Sequence, residues 1–348
     1  MFPDYPLPPE SGERQPAVLK SALIPALACA VICIVMMRAG FFSLFFLVPL
    51  GFCAVAFGSA AAWRCFMFTL LGHGVLTAVL SPLRGTGILG TVTDILYFAV
   101  LALGFTWIMA GNPPDSIGIQ VPKVRTAFRF TAAAVTVAVV FFALTFAAGT
   151  ENLLAFINFQ TETISSAVIA SAGADPARQS VLERTFAPER ITQAVMSISL
   201  RGGVLFSAFF LFFLSRQTAL VFARLFRKQR ENISGDLSSF HVPRNFIWVF
   251  SFSLLAVLIF RRPSLEIAEI AAWNLLVICT VMYLAQGGGI VLFALSRRPM
   301  PGPFRVIFVV LLIITIFSPG INIFALGALI LLGIAENWLP LRIIRTER

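Results

Sequence analysis

The chain has 348 residues, of which 58% are hydrophobic and only 12% are charged, and its mean hydropathy is +0.91. Soluble globular proteins are about one-quarter charged and roughly half apolar, so this composition excludes an ordinary soluble domain and predicts an integral membrane protein with several spans. In such a protein, the formal net charge of +10 marks cytoplasmic loops and anionic lipid headgroups. We therefore expect no nucleic-acid partner.

The first 148 residues predict a short tail followed by five membrane spans. Residues 1–18 are Pro-rich and carry three acids, unlike the basic leader of a secretory signal, so we expect a flexible cytoplasmic tail and an uncleaved first span. A span needs about 20 mostly apolar residues. By that measure, the N-terminal bundle at 19–148 contains spans near 19–37, 41–62, 65–82, 88–110 and 127–148.

The rest of the chain predicts a loop and a second bundle. Residues 149–193 form the expected extracytoplasmic loop, and within LERTFAPERITQAVMSISL the apolar residues recur at helical spacing, which predicts a helix lying at the outer interface. The C-terminal bundle, 194–342, contains spans near 195–215, 245–260 and 268–295. Ser318-Pro319-Gly320 divides the last apolar region, 306–335, into two short segments, for which a re-entrant hairpin is the alternative. A basic tail follows at 343–348.

The fold class predicted is therefore all-α: a polytopic transmembrane helical bundle of about ten membrane segments. If the N-terminus is cytoplasmic, eighteen of the 26 Lys and Arg residues fall on the cytoplasmic side, as the positive-inside rule requires. The C-terminus then also lies in the cytoplasm. We expect a multi-pass protein of the bacterial cytoplasmic membrane.

The sequence carries no signature of a metal site, a cofactor or an enzyme. The five cysteines lie in or beside apolar segments, where a cysteine acts as a small apolar residue, and no His or carboxylate stands at ligand spacing from them. Motifs of intramembrane hydrolases are absent, including H-E-x-x-H, G-x-S-x-G and paired aspartates on adjacent spans. We expect no disulfide, no metal, no cofactor and no enzymatic activity.

Ionisable groups within spans are costly, and three sets of polar residues therefore become candidates for a substrate-binding site. His73 in the third span and Asp94 in the fourth are about equally far from the loop that joins the two spans, so their depths agree within roughly 3 Å. If they face each other, they form a charge-assisted pair or a proton-responsive site. The alternative is that Asp94 pairs locally while His73 fills a notch between two glycines.

The second set lies at the predicted outer start of the eighth span. Glu269 and Asn274 are placed to face a cavity, and Arg201, near the outer end of the sixth span, is the candidate partner of Glu269. Glu266 is expected at the level of the headgroups. The alternative is that these groups are simply solvated at the membrane interface.

The third set is Gln286 with Gly287, Gly288 and Gly289. The P-loop pattern fails, because no Lys-Ser/Thr pair follows the glycines. The span around them is too long for the bilayer, which indicates a place where the helix bends or unwinds around a substrate. The alternative is that the glycines allow a neighbouring helix to pack closely.

From about Phe222 onward, the sequence resembles the YybS-like family of bacterial multi-spanning membrane proteins. The resemblance rests on FARLFRKQREN, on FHVPRNFIWVFSFSLL, on WNLLVICTVMYLAQGGGIVLFAL and on LLGIAENWLPLR. The N-terminal spans match that family in hydropathy alone.

That family is in turn distantly similar to the substrate-binding subunits of energy-coupling factor transporters. Those subunits use an A-x-x-x-A pattern to pack on another membrane subunit, and Ala22, Ala26 and Ala30 repeat its spacing here. The resemblance implies a substrate-binding or transport component with a polar site in the outer half of the bilayer and with other membrane subunits as partners. The alternative is a non-transporting scaffold or regulatory partner of cell-envelope machinery.

Overall fold

A computed structural model describes residues 23–84, 88–110, 122–147, 187–227, 240–261, 266–297, 321–339 and 341–342, with three isolated positions at 162, 166 and 185. Every regular element among these residues is helical, which confirms the all-α membrane bundle. In hydrocarbon, a helix satisfies its own backbone groups, and this favours helices for such apolar segments.

The helices follow one another with short breaks. Their bounds are α1 (Leu23–Arg38), α2 (Val48–Phe57), α3 (Ser59–Arg84), α4 (Ile88–Met109), α5 (Pro122–Ala147), α6 (Pro188–Ile198), α7 (Val204–Arg227), α8 (Phe246–Ile259), α9 (Glu266–Arg297) and α10 (Ile321–Ala335). A 3₁₀ turn, Gly40–Phe45, precedes α2, and a π-helical turn, Ser199–Gly203, joins α6 to α7.

The chain forms two compact units. Unit 1 comprises Met1–Asn112 and Leu211–Arg230, and unit 2 comprises Pro113–Phe210 and Glu231–Arg348. In unit 1, α3 packs against α1, α2 and α4. In unit 2, α9 packs against α8, α10 and the π-helical turn. The sequence-based division at residues 148 and 193 followed the count of spans, whereas these units follow packing.

Five described helical stretches are long and apolar enough to cross a membrane, and four shorter apolar helices accompany them. The second predicted span, 41–62, is not one helix. It consists of the 3₁₀ turn, of α2 and of the first residues of α3. α2 has ten residues, is about 15 Å long and ends at Phe57, just before Gly58. Gly58 has a φ of +88°, a left-handed conformation that breaks the helix before α3 begins.

The predicted interfacial helix and sixth span form one interrupted helix. α6 begins at Pro188, where proline suits the first turn, and continues through the π-helical turn into α7. The predicted break between residues 318 and 320, the two terminal tails and most of the predicted loop lie outside the described residues.

Candidate functional site

The break between α6 and α7 is the most irregular backbone among the described residues of unit 2. Arg201 (φ −85°, ψ 31°) and Gly202 (φ +108°, ψ 0°) leave the helical conformation. A β-carbon at Gly202 would meet the Val277 side chain at 2.6 Å, so glycine is needed here for both conformation and space. Non-helical backbone at membrane depth is tolerated where it is buried in protein or lines a cavity.

Asn274 on α9 supports this break. Its side-chain amide donates to the Leu200 carbonyl oxygen at 2.8 Å and to the Ile270 carbonyl oxygen at 2.8 Å. The π turn leaves carbonyl groups without regular helical partners, and an amide from a neighbouring helix satisfies one of them. Asn274 therefore holds the backbone of the break in place.

An ion pair lies directly beside the break. Arg201 Nε is 3.3 Å from Glu269 Oε1, and the guanidinium also donates to Ser197 Oγ. Trp273, one turn further along α9, donates its indole N–H to the same Glu269 oxygen at 3.4 Å. The predicted pairing of Arg201 with Glu269 is thus present in the structure.

A half-open cavity of about 780 Å³ surrounds this ion pair, and its volume suits a small organic molecule. The polar lining consists of two cations and two anions, and the apolar lining comes from α8 and α9. The lining residues are Arg201, Leu254, Val257, Leu258, Arg261, Glu266, Glu269, Trp273 and Leu276. We call this cavity, with the ion pair and the broken helix, the helix-break site.

Gln286 lies outside the helix-break site. It lies about 18 Å along α9 from Asn274, because the helix is continuous between them. Glu269 and Asn274 therefore lie apart from Gln286–Gly289 along the helix. The predicted bend or opening at the glycines is wrong, since α9 runs unbroken from Glu266 to Arg297.

The glycines instead serve close packing. A β-carbon at Gly287 would collide with the Leu329 carbonyl oxygen of α10, and one at Gly333 would collide with the Tyr283 carbonyl oxygen of α9. Small residues let two helices approach closely and gain van der Waals contact, which keeps α9 helical despite the low helix propensity of glycine. Gly288 and Gly289 continue the same helix.

Around Gln286, three distant segments of unit 2 meet. The Gln286 side chain accepts from the Val242 backbone N–H at 2.8 Å and donates to Glu336 Oε2 at 2.9 Å. Arg342 donates from Nε to Glu336 Oε1 at 2.6 Å, from Nη2 to Glu336 Oε2, and from Nη2 to the Phe240 carbonyl oxygen at 2.7 Å. We call Gln286, Glu336 and Arg342, with the backbone of residues 240–242, the C-terminal polar cluster.

The charge of Glu336 is stabilised although the side chain is buried. Burial opposes ionisation, but hydrogen bonds and charge from Arg342, the amide of Gln286 and the nearby His241 outweigh it, so the pKa of Glu336 lies below its ordinary value. His241 Nδ1 is 3.6 Å from Glu336 Oε2, and the His241 side chain is exposed. The cluster is therefore an ionised anchor at neutral pH.

In unit 1, the structure brings His73 and Asp94 together. His73 Nε2 is 3.8 Å from Asp94 Oδ2 and 3.4 Å from Thr77 Oγ1, and its ring packs on Phe98 with a centroid distance of 4.3 Å. Both residues belong to unit 1, whereas the helix-break site belongs to unit 2.

The alanine pattern of the first span has an internal role. Ala26 and Ala30 are fully buried within unit 1, where α1 packs against α3, so they are not available to another subunit. Ala22 lies outside the described residues.

The five cysteines are buried free thiols, and no group of three His, Cys, Asp or Glu side chains within the described ranges is placed to hold a metal ion.

Sequence reasoning missed the helix break and most of the C-terminal polar cluster. A signal for the break was present, since Gly202 and Gly203 follow Arg201 inside an apolar segment, and glycine pairs commonly mark kinks. Glu336, directly after an apolar helix, was a signal for the cluster. The contacts of the cluster with residues 240–242 could not be found by spacing, because Gln286 lies 44 residues from Val242 and Arg342 lies 102 residues from Phe240.

Comparisons with known proteins bear on the family rather than the site. No curated protein and no solved structure matches the chain significantly, and the expected similarity to energy-coupling factor subunits finds no support. A family model described as "Predicted membrane protein (DUF2232)" matches residues 114–329, which is more than half of the chain and is consistent with the YybS-like resemblance. The chain therefore belongs to this family of predicted membrane proteins.

Proposed function

We propose that this chain is a multi-pass protein of the bacterial cytoplasmic membrane that binds a small molecule at the helix-break site, as a substrate-binding or transport component. The observation that carries the proposal is the coincidence of a broken helix, an ion pair and a cavity within unit 2. In transporters, substrate sites form where helices are interrupted, because the interruption turns backbone polar groups towards a ligand.

The site has the polarity of a binding pocket. Leu254 and Leu258 supply apolar surface to the cavity. Its charged lining consists of Arg201, Arg261, Glu266 and Glu269. The side chain of Arg201 is 37% exposed and that of Glu269 is 14% exposed, so a ligand can approach the arginine without first entering the core. A small molecule with a polar head and an apolar body matches both parts of the lining.

The ion pair supplies a way to respond to the ligand. An anionic group that binds Arg201 replaces Glu269 as its partner, and Trp273 then remains as a hydrogen-bond donor to the released carboxylate. Asn274, which donates to the Leu200 carbonyl and not to the ion pair, keeps that carbonyl satisfied in either state.

The orientation of the chain follows from its charges. With the predicted topology, the start of α9 faces the outside, and the helix-break site lies in the outer half of the bilayer. The basic segments then face the cytoplasm, where anionic headgroups and other membrane subunits are the proposed partners.

The proposal can be tested on the purified protein in lipid nanodiscs. Small molecules that co-purify are extracted and identified by mass spectrometry, first for the native chain and then for the double variant Arg201→Met with Glu269→Gln. The double variant removes both charges at similar volume and leaves no buried charge without a partner. We expect at least a tenfold loss of the co-purified molecule, and loss of the thermal stabilisation that adding it back to the native protein produces.

The control is Glu189→Gln, which removes one carboxylate from the exposed first turn of the same interrupted helix. It is expected to bind as the native protein does. Equal occupancy in the native protein and the double variant would contradict the assignment of the site. A native protein that carries no small molecule and gains no stability from a membrane extract would instead favour the scaffold alternative.

A further inference from the structure

A second site of chemical interest lies in unit 1 and does not depend on the helix-break site. His73 is the single histidine, and Asp94 the single carboxylate, in the described part of unit 1. Although they lie on different helices, their side chains meet. Ionisable groups in membrane segments are rare and costly, so a pair of this kind indicates a role that an apolar pair would not fulfil.

The surroundings of His73 are built to hold the ring in one orientation. The side chain is completely buried, and the ring lies against Phe98 of α4. Only Nε2 faces both Thr77 and Asp94, at 3.4 Å and 3.8 Å. One nitrogen atom thus has two neighbours with different charges.

Thr77 connects this nitrogen to a cation on α1. Arg38 Nη2 donates a hydrogen bond to Thr77 Oγ1 at 2.9 Å, so the hydroxyl proton of Thr77 is free to point towards His73. With a neutral imidazole, the hydroxyl donates to Nε2. With a protonated imidazole, Nε2 carries the proton and must donate, and Asp94 is then the better acceptor because it is charged.

We propose that His73 and Asp94 form a proton-binding site, with Asp94 as the entrance and Nε2 as the position of the bound proton. The Asp94 side chain is 44% exposed at the protein surface, less than two turns from the start of α4, whereas that of His73 is inaccessible, so a proton that reaches Nε2 passes through the carboxylate. One proton is taken up, and the charge of unit 1 rises by one. The pair closes from 3.8 Å to a hydrogen-bond length of about 2.8 Å as Thr77 releases Nε2.

The other elements packed against α3 supply no competing negative charge. α1 carries Arg38, which acts through Thr77, and the thiols of Cys29 and Cys33; α2 carries the thiol of Cys53. α4 carries Asp94 and the phenol of Tyr97, and α3 itself carries Cys65 and two arginines at least nine residues from His73 along the helix. The state of His73 therefore depends on Asp94, with Arg38 opposing the extra positive charge.

The chain has only two histidines, which makes a direct test practical. The protein is labelled with ¹⁵N in the imidazole rings and reconstituted in nanodiscs, and His241→Gln leaves His73 as the single labelled ring. We expect the ring nitrogen signals to show one protonation step between about pH 5 and pH 8. Asp94→Asn, which keeps the size of the side chain, is expected to abolish that step in this range.

Thr77→Val is the matched control, because it removes the hydroxyl neighbour of Nε2 and keeps the carboxylate. It is expected to retain the protonation step. A His73 ring that stays in one protonation state from pH 5 to pH 8 in the folded protein would overturn the proposal. This measurement uses the native residues at positions 73, 77 and 94. A titration of equal midpoint in Asp94→Asn would overturn it as well, since His73 would then respond to another group.

Discussion

The C-terminal polar cluster predicts a large, pH-dependent effect for Arg342→Met. The substitution removes the guanidinium and leaves Glu336, whose side chain is only 4% exposed, with Gln286 and the exposed His241 as neighbours. Breaking one side of a buried ion pair typically costs about 3–5 kcal/mol, because the remaining charge stays buried.

The free-energy cost of leaving Glu336 unpaired cannot exceed the cost of protonating its carboxylate. Starting from the ordinary glutamate pKa of 4.5, neutralising the carboxyl group at pH 7 costs about 3.4 kcal/mol, and at pH 5 about 0.7 kcal/mol. In the native protein, the lowered pKa of Glu336 adds stability at neutral pH that is lost as the pH falls below 4.5 through the folded value. We therefore expect Arg342→Met to lose about 3 kcal/mol at pH 7 and about 0.7 kcal/mol near pH 5.

The assay is the free energy of unfolding in mixed micelles, measured by titration with denaturing detergent at both pH values. Arg244→Met is the matched control, since that exposed arginine donates to the Asn337 backbone carbonyl at 3.2 Å and forms no ion pair among the described residues. Its loss is expected to cost about 1 kcal/mol or less. A double-mutant cycle with Glu336→Gln should show strong coupling. If Arg342→Met costs no more than Arg244→Met, or if its cost is the same at both pH values, the account of the cluster is refuted.

Three further outcomes follow from the packing. Gly287→Ala should destabilise the protein by about 2 kcal/mol or more, because its β-carbon meets the Leu329 carbonyl oxygen. Gly327→Ala, whose β-carbon meets nothing within 4 Å, should be neutral or stabilising in the same titration. Asn274→Leu should cost about 1–3 kcal/mol by leaving the Leu200 carbonyl unsatisfied, and unfolding should then begin with increased amide exchange around the helix break. A reporter fused to the C-terminus should be active in the cytoplasm; activity of a periplasm-dependent reporter there would reverse the predicted topology.

Much of the fold class followed from composition and from apolar length. Hydrocarbon accepts few polar groups, so long apolar segments are recognisable without knowledge of their neighbours. The meeting of His73 and Asp94 at similar depth was also accessible, because a short loop ties their helices together and fixes their relative height. In the same way, the pairing of Arg201 with Glu269 was suggested by the expected positions of two span ends.

Tertiary structure decided what the glycines do and where the helix opens. Glycine in a span is equally compatible with a bend and with close packing, and the outcome depends on which neighbouring group approaches it. At Gly287, α10 packs closely and α9 stays straight. At Gly202, the Val277 side chain fills the space beside the point where the α6–α7 helix breaks. The C-terminal polar cluster was likewise set by long-range packing, since Gln286 lies 50 residues from Glu336 and Phe240 lies 102 residues from Arg342. The sequence by itself determined a helical membrane protein with costly polar groups in its spans, because the transfer energy of each segment depends on its own residues. Which of those polar groups meet depended on packing between segments that are far apart in the sequence.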